Sequence, residues 1–442
     1  MPEHLIQTKE TRVRYLIISI LFVVSCFSFA DRSALSQAAG MMPKDLDLTP
    51  QRMGYLLFGF GWAYALAQLP SGGLLDRFGS KRVYGIAIIL WSIFAFLTGF
   101  AGYVGASAAF TIIFVLRICS GLAQAPVFPG NGRIVAAWFP TAERGRASAI
   151  FNSSQYFALP IFAPIFGGLL HRFGWQSCFW FLGALGALLT VLWFTNIYGP
   201  KDHPRVSPAE VEMIEAGGGL VNTDANASAK KNTLTWSTVK MLLSHRMLVG
   251  VYIGQYCITT LTWFFLTWFP LYLAQARHMS VLKVGFAAAV PGLCGGVGGI
   301  ISDELLKRGC SLSFSRKLPI MAGMALSMTL IACNYAGSQS LMLLFMSISF
   351  FGKGIGALGW TVISDTSPKG MVGMNGALFN LCGNMAGITT PLIIGYIVAT
   401  THSYNGALIF VGVIAFCAIV AYGPIVGEIK RLELAPIAEQ AR

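Results

Sequence analysis

Apolar segments of about 20 residues or more recur along nearly the whole sequence, and they constrain its fold more than any other feature. An α-helix of about 20 apolar residues is long enough to cross the hydrocarbon core of a membrane. The first segment is too long for a cleavable signal peptide and ends in Asp31-Arg32 without a small-residue cleavage site. We therefore predict an all-α integral membrane protein with twelve spans, at residues 15–38, 53–74, 83–103, 108–130, 147–170, 177–198, 247–275, 282–302, 318–337, 340–362, 373–399 and 405–426.

The composition excludes a soluble protein. Only 11% of the 442 residues are charged and 55% are hydrophobic, whereas soluble globular domains carry about 25% charged residues. The nine cysteines are odd in number, include no Cys-x-x-Cys pair and lie mostly inside apolar segments. We interpret them as small packing residues, and we expect no disulfide framework, no metal site and no cofactor.

The positive charge is a signal of membrane topology. With both termini in the cytoplasm, 22 of the 31 Lys and Arg residues lie in cytoplasmic segments, 5 on the opposite side and 4 within the apolar segments. Cytoplasmic loops of membrane proteins are enriched in Lys and Arg. The formal charge of +13 therefore predicts cytoplasmic termini and gives no indication of nucleic-acid binding.

One long polar stretch divides the chain into two halves of six spans. It predicts an N-terminal bundle at 1–198, a cytoplasmic linker at 199–246, and a C-terminal bundle with a cytoplasmic tail at 247–442. Within the linker, Ser207-Pro208-Ala209-Glu210 has the form of a helical capping box, and Gly217-Gly218-Gly219 would end that short amphipathic helix.

The two halves repeat each other in sequence. Parallel six-helix repeats are typical of transporters that bind their substrate between the repeats, and not of channels or membrane enzymes. The loop Gly72-x-x-x-Asp76 has a degenerate copy, Gly299-x-x-x-Asp303. Five residues recur at an offset of 228, namely Pro140, Gly145, Ala149, Phe151 and Asn152 as Pro368, Gly373, Ala377, Phe379 and Asn380.

Two motifs carry a resemblance to a known family. The loop from Gly72 to Arg82 resembles the signature loop of the major facilitator superfamily, and Arg117-Ile-Cys-Ser-Gly121 resembles its weaker second motif. A carboxylate at a helix end can pair with nearby cations and a helix N-terminus and so latch one conformation. The resemblance implies such a latch at Gly72, Asp76, Arg77, Gly79, Lys81, Arg82 and Arg133.

Over nearly its whole length the chain resembles the anion:cation symporter branch, and within it the bacterial glucarate and galactarate transporters, with the galactonate transporter a close relative. The resemblance implies proton-driven uptake of an acidic sugar through the inner membrane. It rests on segments that include Ala30-Asp31-Arg32, Trp62-Ala-Tyr64, Arg133 to Pro140, Phe151 to Tyr156, Trp263 to Pro270 and Phe351 to Trp360.

Ionisable residues inside spans are functional candidates by default, because they are costly in a membrane. Arg32 lies about 25 Å from the inner end of its span and Arg117 about 14 Å from the outer end of its own, so both reach a similar depth. Two guanidinium groups at one depth favour a carboxylate ligand. The alternative for Arg32 is a structural ion pair with Asp31, the one acid well inside an apolar segment, or with another helix.

Lys353 is the third cation within a span. On a continuous helix it shares a face with Trp360, seven residues on. We expect it to neutralise the second carboxylate of a dicarboxylic sugar acid, since the family resemblance places lysine there in the diacid transporters and a neutral amide in the galactonate transporter. The alternative is a lysine that snorkels or lines a wet cavity.

Polar and aromatic residues within the spans are expected to bind the sugar hydroxyls. By position, four of them resemble residues that line the site of the galactonate relative. The alternative for each is a side chain that forms a hydrogen bond between helices. They are Tyr64, Gln155, Trp360 and Asn380, with Asn384 as a further candidate.

Gln124 departs from the family pattern. The relatives that the chain resembles have a proton-coupling glutamate at this position, and glutamine cannot titrate. Three interpretations remain: a natural uniporter or exchanger, a symporter that runs on Asp31 alone, or an engineered substitution that mimics the protonated acid. In each case we expect Gln124 to favour the proton-loaded conformation, so that the protein binds its substrate while its concentrative transport is impaired.

These observations predict a monomeric transporter, not an enzyme, whose partners are a sugar-acid anion, a proton and the lipid bilayer. A symporter of a monoanionic aldonate or of a hexuronate is the nearest alternative, and an organic-phosphate exchanger is an alternative from another class. A membrane enzyme is disfavoured because the sequence shows no phosphate-cradling loop, metal-spaced cluster or Ser-His-Asp set.

Overall fold

The computed structural model describes residues 11–42, 49–140, 143–221, 236–277, 279, 298–368 and 372–432, and every regular element in these ranges is a helix. Ten helical segments in them are long and apolar enough to cross a membrane. Two of the twelve predicted spans are not among the ten. Residues 53–74 lie in a helix of 29 residues, Pro50–Phe78, and residues 282–302 fall mostly outside the described residues.

The chain forms two compact units. The first comprises residues 1–48 and 59–231, and the second comprises residues 49–58 and 232–442. The boundary between them thus falls inside the polar stretch 199–246, and the start of the second helix belongs to the second unit.

We number the described helices in chain order. The first eight are α1 (Val13–Ala38), α2 (Pro50–Phe78), α3 (Ser80–Thr98), α4 (Ala106–Gln124), α5 (Val127–Trp138), α6 (Arg144–Phe173), α7 (Gln176–Asn196) and α8 (Pro208–Ala216). The others are α9 (Trp236–Ser244), α10 (Arg246–Trp263), α11 (Phe269–Gln275), α12 (Gly298–Lys307), α13 (Leu312–Ser327), α14 (Gln339–Ile355), α15 (Gly359–Thr366), α16 (Val372–Thr401) and α17 (Asn405–Val420).

Helix α1 is the most enclosed helix of the first unit. It packs along α6, and every residue from Val24 to Ala38 is buried. Small side chains such as Ser25, Ser28 and Ala34 line this part of the helix, and small residues let neighbouring membrane helices approach closely. The polar residues in this half of α1 are therefore shielded from solvent.

Two of the predicted continuous spans are interrupted. Helix α4 ends at Gln124 and α5 begins at Val127, with the break at Pro126, which has no N–H for the helical ladder. Helix α14 ends at Ile355 and α15 begins at Gly359. Lys353 and Trp360 therefore belong to different helices, and the expectation that they share one helix face is wrong.

The short helix of the linker forms as predicted. The Ser207 hydroxyl accepts a hydrogen bond from the Glu210 N–H at 3.3 Å, and Pro208 is the first residue of α8. Gly217 follows the last helical residue, and Gly218 has a φ of +82°. A positive φ is a conformation that glycine adopts at no steric cost, so this turn stops the helix.

The Glu210 carboxylate binds the start of α1 and does not close the capping box. It accepts hydrogen bonds from Thr11 Oγ1 at 2.7 Å, Val13 N at 3.1 Å, and Arg14 N and Nη1 at 3.2 Å each. The first N–H groups of any helix lack partners within it, and Arg14 adds a positive charge. The Ser207 N–H donates instead to Thr11 Oγ1 at 2.9 Å. We call these five residues the α1 clasp.

Candidate functional site

Four of the predicted site residues meet inside the first unit. Asp31 and Arg32 from α1 lie against Arg117 and Gln124 from α4, and their exposed fractions are 1%, 4%, 3% and 0%. Charged side chains are rarely buried unless they are paired and hydrogen-bonded. The structure therefore brings Arg32 and Arg117, both predicted to bind the substrate, into one buried cluster.

Gln124 is at the centre of the cluster. Its Nε2 donates to Asp31 Oδ2 at 2.6 Å. Its Oε1 accepts from Ser28 Oγ at 2.9 Å and from Arg32 Nε at 3.2 Å. The amide therefore links the carboxylate to the guanidinium group of Arg32 and uses both of its polar atoms.

The ion pair of the cluster joins Asp31 to Arg117 and not to its sequence neighbour. Arg117 Nη1 lies 3.8 Å from Asp31 Oδ2 and donates to the Asp31 carbonyl oxygen at 3.4 Å. Arg117 Nε is buried and has no hydrogen-bond partner among the described residues. A buried N–H without a partner marks a place where a ligand oxygen or a water belongs. Asp31, Arg32 and Arg117 together leave one net positive charge.

Aromatic rings enclose the Arg32 guanidinium group. Its central carbon lies 4.4 Å from the centre of the Tyr64 ring, 5.1 Å from that of Phe29 and 5.3 Å from that of Phe60. The Arg117 guanidinium carbon lies 4.7 Å from the Phe60 ring centre. A cation over an aromatic face is stabilised by the ring quadrupole. Tyr64 therefore positions Arg32 in this structure.

Gly121 allows this aromatic wall to form. A Cβ at Gly121 would lie 2.5 Å from the Phe60 carbonyl oxygen and 3.1 Å from the Tyr64 nitrogen. Only a residue without a side chain lets the backbones of α2 and α4 come this close. Phe60 and Tyr64 stack on each other at 5.9 Å between ring centres.

The sequence missed Ser28, Phe29 and Phe60. Phe60 precedes Tyr64 by four residues, a spacing that puts both on one helix face, so this signal was available.

Gln155, which was predicted, is half-buried on α6 and donates to the Asn152 carbonyl at 3.1 Å.

The second unit carries the remaining predicted residues. Lys353 is 1% exposed near the end of α14, where its Nζ lies 5.5 Å from the Phe350 ring centre. Trp360, at the start of α15, is 47% exposed and packs edge-on against Phe379 at 5.0 Å between ring centres. Asn380, half-buried, follows Phe379 on α16.

Gln255 and Tyr256 on α10 are polar neighbours of this region that the sequence missed. The Gln255 Oε1 lies 2.6 Å from where a Cβ on Gly359 would be, which places its side chain beside the start of α15. Tyr256 shares a hydrogen bond with Thr389 Oγ1 at 2.7 Å. Two adjacent polar residues within a membrane span could have been recognised in the sequence as candidates for the site.

The predicted latch residues surround the turn between α2 and α3. Gly79 has a φ of +80° and separates the two helices. Lys81 Nζ lies 3.0 Å from the Tyr198 ring centre, and Arg77 and Arg82 are exposed. A cavity of about 170 Å³ next to this turn is lined by Lys81, half-buried Arg133 and residues 197–202, among others. The side chains of Asp76 and Asp303 lie outside the described part of the structure.

Comparison with known proteins identifies relatives across the whole chain. A family profile described as Major Facilitator Superfamily matches residues 21–333. A probable galactarate/D-glucarate transporter, GudP, of Bacillus subtilis (strain 168) is 55% identical over 430 residues, which cover 96% of this chain and 94% of the relative. The probable galactarate/D-glucarate transporter GudP of Escherichia coli (strain K12) is 52% identical, over 98% of this chain and 97% of the relative.

More distant relatives share the fold. A D-galactonate transporter of Escherichia coli O6:H1 is 35% identical, over 96% of this chain and 98% of the relative. The crystal structure of a D-xylose-proton symporter superimposes with a TM-score of 0.69 at 15% identity, and covers 94% of this chain and 98% of that one. At that identity the likeness concerns the fold alone.

Proposed function

Because the chain belongs to the major facilitator superfamily, we propose that it imports a dicarboxylic sugar acid, D-glucarate or galactarate, by proton-coupled alternating access. The chain is a multi-pass transporter of the bacterial inner membrane and not an enzyme. The proposal includes twelve spans with both termini in the cytoplasm, in line with the distribution of Lys and Arg.

The observation that carries the proposal is the buried cluster around Asp31. Two guanidinium groups meet one carboxylate there, and Arg117 Nε has no partner among the described residues. A guanidinium group binds a carboxylate through parallel N–H donors. We assign Arg32 and Arg117 to one carboxylate of the substrate, with Asp31 as the group that takes up the proton and Gln124 in the second coupling position.

The proposal assigns further predicted residues to the substrate. We assign Lys353 to the second carboxylate, since an ammonium group can form a charge-assisted hydrogen bond with a carboxylate. We assign Gln155, Trp360 and Asn380 to the hydroxyl groups of the substrate, while Tyr64 contributes by holding Arg32. The residues around the turn at Gly79, from Gly72 to Arg82 with Arg133, are the proposed conformational latch.

A monoanionic aldonate is the second candidate substrate. The net single positive charge of the Asp31 cluster matches one carboxylate, so the substrate class depends on the role of Lys353. Competition by glucarate, galactarate, galactonate and a hexuronate against labelled glucarate separates these candidates. Inhibition by the diacids well below the concentration needed for the monoacids supports the proposal.

The experiment that tests the function is uptake of labelled glucarate into proteoliposomes, with and without an acid-outside pH gradient. Accumulation above equilibrium that requires the gradient supports proton-coupled import. Equilibration to the same level with and without the gradient indicates facilitated transport of a sugar acid and contradicts proton coupling. Exchange of glucarate for internal phosphate without any pH dependence indicates the organic-phosphate exchanger instead.

A further inference from the structure

Arg32 fixes the orientation of the Gln124 amide. The oxygen and nitrogen ends of a glutamine amide have nearly the same shape, so the orientation is set by the partners. Arg32 can only donate hydrogen bonds, and its Nε lies 3.2 Å from Gln124 Oε1. The Ser28 hydroxyl can either donate or accept, so it adapts to the amide and does not choose its orientation.

The orientation of Gln124 in turn selects the state of Asp31. With Oε1 on Arg32, the Nε2 donor faces Asp31 Oδ2 at 2.6 Å, and a donor at this distance favours the ionised carboxylate over the neutral acid. The reversed amide would present Oε1 to Asp31. Only a protonated Asp31 could then complete the hydrogen bond, because a carboxylate has no hydrogen to donate.

We propose that Gln124 is an amide switch that couples the binding of a substrate carboxylate at Arg32 to the protonation of Asp31. When the carboxylate takes the Arg32 Nε–H, Gln124 Oε1 keeps only its hydrogen bond from the Ser28 hydroxyl, which can bond to either end of the amide. The amide turns over, Asp31 binds one proton from water, and the new carboxyl O–H donates to Oε1. One negative charge arrives at Arg32 and one is neutralised at Asp31, so the charge of the cluster is unchanged.

The switch rests on the proposed function and supplies what the missing glutamate would otherwise provide. Because binding equilibria are reciprocal, a proton on Asp31 strengthens anion binding by the same factor as the anion strengthens proton binding. Loss of the proton on the other side of the membrane restores the first orientation and returns Arg32 to Gln124. The amide itself never titrates.

The charged groups that face Asp31 are Arg32 and Arg117. Besides α4, whose titratable and charged side chains are Arg117 and Cys119, the helices packed against α1 are α5, α6 and α7. Their titratable and charged side chains are Arg133 on α5, Arg144, Arg146, Tyr156, His171 and Arg172 on α6, and Cys178 on α7. Asp31 is the carboxylate of the group, so it is the site at which a proton is gained.

The test measures protons taken up per glucarate bound by the full-length protein in detergent. Isothermal titration calorimetry at one pH, in two buffers that differ in ionisation enthalpy, gives this number directly. The wild type should take up about one proton per anion. Gln124→Leu and Gln124→Met each remove the amide, and both should bind glucarate with less than half of that uptake. The matched control is Gln37→Leu, which removes a buried amide from α1 and leaves Gln124 on α4 unchanged.

The outcomes separate the switch from the proposed function. Uptake that falls in both Gln124 variants and persists in Gln37→Leu supports the switch. Glucarate binding with equal proton uptake in the wild type and both variants overturns the switch and leaves the proposed substrate intact. Wild-type binding without proton uptake also overturns it. Failure of the wild type to bind any sugar acid overturns both.

Discussion

Gln124 and Asp31 face each other from α4 and α1, joined by a hydrogen bond of 2.6 Å from Nε2 to Oδ2. Because both side chains are buried, the bond has no competition from bulk water. A carboxylate at position 124 would bring two acidic groups to this distance. Two such groups cannot both be ionised, so they would share a proton.

Gln124→Glu is therefore expected to add a titratable group to the transport cycle. The apparent affinity for glucarate should gain a dependence of up to about tenfold per pH unit for the added proton. Uptake measured over a range of external pH checks this, with Gln124→Leu as the variant that adds no titratable group. Identical pH profiles for the wild type and Gln124→Glu would contradict the expectation.

Arg117→Leu should destabilise the protein by about 3–5 kcal/mol, because it leaves Asp31 buried without its ion-pair partner. The double variant Asp31→Asn, Arg117→Leu should regain part of the loss, since position 31 then no longer carries a buried negative charge without its ion-pair partner. Thermal unfolding in detergent measures both, and Arg172→Leu, which removes an exposed arginine, is the control. Equal midpoints for the single and double variants would show that Asp31 does not depend on Arg117.

Lys353→Asn should weaken glucarate binding by about tenfold or more, because one charge-assisted hydrogen bond contributes roughly 1.5–3 kcal/mol. Binding of galactonate, which has one carboxylate, should change little. The ratio of the two dissociation constants is the readout, and Lys201→Asn on the exposed linker is the charge-matched control. An equal loss for both acids would assign Lys353 a structural role.

Gly121→Ala should cost about 1–3 kcal/mol of stability, because the added methyl group would meet the backbone of α2. It should also weaken glucarate binding, since Phe60 and Tyr64 hold Arg32 from that segment. Gly132→Ala is the matched control, because a Cβ there meets nothing within 4 Å. If the two variants had the same unfolding temperature and affinity, the close approach of α2 and α4 would be unimportant.

Glu210→Gln should lower stability by about 1.5–3 kcal/mol through the loss of the charged bonds in the α1 clasp. Glucarate affinity per folded molecule should remain at its wild-type value, because Glu210 lies away from the Asp31 cluster along the length of α1. Glu212→Gln, on the exposed side of the same helix, is the control. Similar unfolding temperatures for Glu210→Gln and Glu212→Gln would mean that the clasp contributes nothing to stability.

The features that the sequence predicted correctly depend on short-range rules. Ser207 and Pro208 start α8 because an N-cap side chain and a proline at the first turn are local preferences. Helix rise predicts a similar position along the span for Arg32 and Arg117, which is a condition for both to join one cluster. Both rules need only residue spacing, which the sequence contains.

The features that it missed depend on tertiary partners or on a broken helix. The prediction that Lys353 and Trp360 share one face assumed a continuous helix with 3.6 residues per turn. The helix instead ends between Lys353 and Trp360, in a segment that contains Gly354, Gly356 and Gly359. Three glycines in six residues were a signal of the break, since glycine is unfavourable inside helices. The partners of Glu210 could not be predicted, because residues almost 200 positions earlier compete for its carboxylate.

The α1 clasp also sets an order of events during synthesis. Thr11 and Glu210 are 199 positions apart in the chain, so the first turn of α1 obtains these partners only after the linker has left the ribosome. At about 5–20 residues per second, that interval is roughly 10–40 s. Until then the N–H groups at the start of α1 must be satisfied by water, and the N-terminal bundle completes its own first helix last.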